Sequence, residues 1–104
     1  MSFFGFTSRK RVDECAKSLA IEFSRLCPLS EHVKGGRNPE KKVEGALAEL
    51  YKQARAFRQD NKLGVFSRAR FAKVFQDELA GLGYLPELSA KVTTALVINA
   101  LSGD

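Results

Sequence analysis

The sequence holds one histidine, two cysteines and no long hydrophobic run, and each shortage closes off a class of function. His32 falls in a stretch with loop composition, and neither cysteine has a base near it in sequence, so no nucleophile stands beside its base and enzyme chemistry is not expected. Cys27-x4-His32 could offer two metal ligands, but a structural zinc takes four, and no CxxC or HxxxH supplies the others. The Glu-x-x-His step of a di-iron bundle is also missing. No metal and no cofactor are therefore expected.

Cys15 and Cys27 lie in one helical pattern, where twelve residues at about 1.5 Å each separate them by about 18 Å, too far to bridge. Two unpaired thiols and the lack of a signal-like apolar core predict a reducing, cytoplasmic setting. Towards the end the longest strictly apolar run, Ala95 to Ile98, has four residues, far below the roughly 20 that a spanning helix needs.

What is present points to one helical domain over 1–104. A chain of 104 residues can bury about two thirds of its unfolded surface. Its 44% apolar and 28% charged residues are ordinary for a globular protein. Val12, Cys15, Ala16, Leu19, Phe23 and Leu26 recur at 3-and-4 spacing and predict a helix over about 8–27, stopped by Pro28. Asn38-Pro39 is a helix start, and Val43, Ala46, Leu47, Leu50, Ala54 and Phe57 carry the second helix over about 39–60. Ser67 as N-cap opens a third helix to Leu82, with Phe66 placed to meet Phe71 as a hydrophobic staple and Gly83 as the left-handed cap. After Pro86 a fourth helix runs to about 101, although the β-branched residues between Val92 and Ile98 would also suit a strand. Its apolar residues take two faces, Leu88, Val92 and Leu96 on one and Val97 and Leu101 on another, which suits central burial or a homodimer through this helix.

The fold class predicted is an all-α, four-helix, up-down bundle, with the second, third and fourth helices as antiparallel neighbours because their connections are short. The path of the 28–38 segment is left open: eleven residues can span about 36 Å, enough to cross the bundle.

Lys34, Gly35, Gly36 and Arg37 lead into the second helix, whose N-terminus attracts anions, but the spacing is not a P-loop and Glu40 already supplies negative charge. A flexible turn is the simpler account of them. A helix-turn-helix centred on Gly64 would put Asp60 where a small residue must pack and Arg70 and Lys73 where apolar ones are needed, so that motif fails. The adjacent acids Asp13-Glu14 and Asp77-Glu78 point different ways on a helix and are most simply solvated.

Charge carries the remaining signal. The net charge is +5, and residues 51–75 hold seven basic side chains against one acid, Asp60. In an up-down bundle the start of the first helix, the end of the second and the start of the third share one pole. Arg9, Lys10, Arg11, Arg55, Arg58, Lys62, Arg68 and Arg70 gather there. Those at the two helix starts oppose the helix dipole, which suggests that local stability did not choose them. Residues 1–7 read as a flexible tail that brings Phe3, Phe4 and Phe6 to the same pole, either as a lid on the bundle end or as a contact surface. The expected function is a non-enzymatic interaction module whose basic, aromatic-capped pole engages an acidic protein. Sequence-independent nucleic-acid binding, or peripheral attachment to an anionic membrane, are the other readings.

Overall fold

Apolar residues three and four apart wind this chain into helices. The computed structural model describes residues 9–28, 39–60 and 63–101, and among them there are four α-helices and no strand. Helix α1 spans Arg9–Leu26, and its inward face is Val12, Ala16, Leu19, Ala20 and Phe23. Helix α2, Pro39–Asp60, buries Ala46, Leu47, Leu50 and Ala54. Helix α3, Val65–Gly81, buries Phe71, Phe75 and Leu79. Helix α4, Pro86–Leu96, begins on a proline whose preceding residue, Leu85, is held extended at φ −60° and ψ 146°, as a residue before proline must be. The strand alternative for 92–98 is thereby resolved in favour of helix.

The end of α3 is a Schellman motif. Tyr84 N–H donates to Leu79 O at 3.2 Å and Gly83 N–H to Ala80 O at 3.0 Å, with Gly83 at φ 107°, where a side chain would be strained. The start of α3 differs from expectation. Gly64, not Ser67, is the N-cap, and Arg68 N–H already bonds Gly64 O at 3.0 Å. Phe66 therefore sits inside the helix, five residues before Phe71 and about 140° round from it. The staple does not form, and Phe66 is 90% exposed.

The two-faced pattern of the fourth helix also has a structural cause. Beyond Leu96 the chain makes one π-helical turn, Val97–Leu101. A π-turn bonds i to i+5 rather than i to i+4 and so absorbs one extra residue, which brings Leu101 near the face of Leu96 instead of about 140° away. Leu88 and Val97 are half-buried against the core, while Val92, Leu96, Ala100 and Leu101 are fully part of it.

The helices pack as a ring in the order α2, α1, α3, α4, closed where the π-turn meets α2. Helices α1 and α3 run parallel: Asp13 meets Arg70 and Cys27 meets Tyr84, the same 57-residue offset at both ends. Tyr84 Oη donates to Cys27 O at 2.5 Å, and its ring stands edge-on to Phe23 at 5.4 Å. Helices α2 and α3 are antiparallel but sit across the diagonal, with little backbone approach, so the expectation that they are neighbours needs correction. Helices 8–10 Å apart in a square have diagonals of about 11–14 Å, which four residues can reach, so a short connection does not force adjacency. The rings of Phe57 and Phe71 fill that diagonal, 6.1 Å apart.

Candidate interaction surface

Parallel packing of α1 on α3 brings their N-termini to one pole. The end of α2 joins them through Phe57, and the π-turn joins through Arg55. Arg9, Lys10 and Arg11 are exposed at the start of α1, Arg55 and half-buried Arg58 lie near the end of α2, and half-buried Arg68 and exposed Arg70 lie at the start of α3. Seven of the eight cations named from the sequence thus share an end of the molecule, with Asp13, Glu14 and Asp60 as the carboxylates there among the described residues. Lys62, the aromatic residues Phe3, Phe4 and Phe6, and the loop residues Lys34, Gly35, Gly36 and Arg37 lie outside the described residues.

Several of these cations already have structural work, which corrects the inference that local stability did not choose them. Arg70 Nε and Nη2 donate to Asp13 Oδ1 and Oδ2 at 2.9 and 2.8 Å, a two-pronged bond that ties α3 to α1. This hydrogen bond holds the Asp13 carboxyl below its ordinary value; desolvation, the next largest influence, opposes it, and the charges of Arg70, Lys17 and Arg9 add to the lowering. Asp13 is therefore paired, not merely solvated. Asp77 takes an exposed i,i+4 bond from Lys73 Nζ at 3.1 Å. Arg68 Nε donates to Leu63 O at 3.2 Å, closing the turn before α3.

Arg55 reaches further. Its Nε and Nη2 donate to Asn99 O at 3.2 and 2.8 Å, and its guanidinium lies 5.9 Å from the centre of the Tyr51 ring. Asn99 Nδ2 in turn donates to Ala95 O at 2.9 Å and to Tyr51 Oη at 3.2 Å. The π-turn is thus clasped to α2 by a cation at its C-terminal end, where the helix dipole favours positive charge.

Two residues missed by sequence reasoning complete the pole. Val65 and Phe66 open α3 with 76% and 90% of their surface exposed, and Ile98 on the π-turn is also exposed. The clue was available in spacing: Phe66 is off the Phe71, Phe75, Leu79 stripe once the helix is allowed to begin at Val65. At the opposite pole Leu82 and Leu85 are exposed on the turn between α3 and α4, and Ile21 is exposed in the C-terminal half of α1.

The thiols sit away from this chemistry. Cys27 is buried, and burial pushes the half-buried Cys15 up to about 11, so it is a neutral thiol at physiological pH. Among the described residues no three His, Cys, Asp or Glu side chains converge as a metal site, and no helix is long and apolar enough to cross a membrane. No family model matches the chain, and no curated protein or solved structure matches it either.

Proposed function

We propose that this protein is a non-enzymatic helical interaction module, acting in the cytoplasm, whose basic pole engages an acidic protein partner. The observation that carries the reading is Phe66, a 90% exposed aromatic ring in the first turn of α3, one helical turn before Arg70 and at the same end of the molecule as the cations that open α1. Isolated exposed apolar residues are common, but an aromatic that follows an exposed valine and precedes an arginine by one turn, at a basic end of the molecule, has the composition of an interface centre. Six of the seven described cations are arginine, whose planar fork suits carboxylates better than a lysine point charge does. The Arg70–Asp13 pair is one such contact made within the chain.

The test is fluorescence anisotropy with a labelled peptide of glutamates carrying a leucine at every fourth position, against a glutamine-for-glutamate control. The native chain should bind the acidic peptide and ignore the control. Changing Arg9→Gln, Lys10→Gln and Phe66→Ser together should weaken binding at least tenfold. Equal affinity for all variants would sink the reading. A thymidine oligonucleotide bound more tightly than the peptide, with affinity falling steeply in salt, would favour nucleic acid, because an exposed Phe ring also stacks on bases. Co-sedimentation only with phosphatidylglycerol vesicles would favour a membrane surface.

A further inference from the structure

Phe66 and Arg70 are one turn apart on α3, four residues that bring their Cβ atoms within about 5–6 Å on a single outward stripe. Arg70 is 41% exposed and Asp13 25% exposed, so the guanidinium is held from one side by Asp13 and open on the other. We infer that Phe66 and Arg70 form a two-point docking site for an acidic peptide, in which a partner carboxylate displaces Asp13 from Arg70 while a partner apolar side chain lies on Phe66 and Val65. This rests on the proposed engagement of an acidic protein and adds which residues receive it and what restrains it.

Three features support Asp13 as a placeholder rather than a fixed strut. Its bond to Arg70 has the bidentate geometry an incoming carboxylate would reproduce, oxygen for oxygen. The pair is partly in water, where exchange of one carboxylate for another costs little. Displaced, Asp13 is not stranded, because Arg9 and Lys17 stand four residues before and after it on α1 and already act on its charge. Phe66 supplies the apolar contact that a carboxylate alone would lack, and so the selectivity over small anions.

The test uses the labelled glutamate–leucine peptide with the full chain and its Asp13→Asn, Asp13→Ala and Arg70→Gln variants, each checked for an intact fold by circular dichroism. Removing the internal competitor should tighten peptide binding about three- to tenfold in Asp13→Asn and Asp13→Ala. The gain should vanish when Arg70→Gln is added. If the native chain binds the peptide but the Asp13 variants bind it equally or less tightly, Asp13 is a strut and the inference is overturned while the proposed function survives. If the native chain does not bind the peptide at all, both fall. Should one Asp13 variant unfold, the other decides.

Discussion

Tyr84 and Phe66 show how differently aromatic residues at the two ends of α3 can be used. Tyr84 is buried, and its hydroxyl is the partner of the Cys27 carbonyl at the far end of α1. Replacing it with phenylalanine leaves that carbonyl without its bond, and urea denaturation should show a loss of about 1–3 kcal/mol. Burial first, and then the nearby Cys27, pushes the Tyr84 phenol up to about 12 from 10.0. A group raised on folding contributes stability below its unfolded value and loses it as pH rises through the folded one. Stability should therefore decline between about pH 10 and 12, and the Tyr84→Phe variant should lack that part of the decline. Phe66, by contrast, buries almost nothing, so Phe66→Ser should change stability by less than about 0.5 kcal/mol while measurably weakening peptide binding. Sequence alone assigned Phe66 to a staple because Ser67 is a better N-cap than Gly64 by propensity. The helix nevertheless starts earlier, its first bond running from Arg68 N–H to Gly64 O, with no side-chain cap at Gly64.

The helices themselves were readable, since four periodic apolar stripes separated by Pro28, Pro39, Gly83 and Pro86 leave little choice, and Gly83 caps as its position implied. The π-turn was not. A pattern in which Leu88, Val92 and Leu96 are followed by Leu101 at a step of five looks like a second face when an α-helix is assumed throughout. The core position of Leu101 predicts that Leu101→Ala costs about 2–5 kcal/mol in a urea melt. Deletion of exposed Ile98 is the sharper experiment. Removing one residue converts the five-residue step to a four-residue step, restores α-helix and keeps Leu101 inward, so the fold should survive. Deleting Lys91 instead would turn every later residue by about 100° and should be far more damaging, as measured by melting temperature.

At the scale of the whole molecule, alternating direction and charge placement could be anticipated, but neighbour relations could not. The short connection after α2 suggested adjacency to α3, whereas the diagonal filled by Phe57 and Phe71 lets α1 lie along α3 instead. That arrangement is what places the start of α1 directly beside the start of α3, with Asp13 within reach of Arg70. It sharpens the shared pole anticipated from charge into a surface with an internal carboxylate at its centre. The opposite pole, with Leu82 and Leu85 exposed on the turn before α4, is the natural control.

The most direct test of this account is a nitrogen-15 amide shift titration of the full chain with the glutamate–leucine peptide. Shifts should concentrate at residues 9–13 and 65–70, with Phe66 and Arg70 among the largest, and residues 81–88 should not move. Shifts confined to Leu82, Leu85 and their neighbours, or none at any peptide concentration that saturates binding, would contradict it.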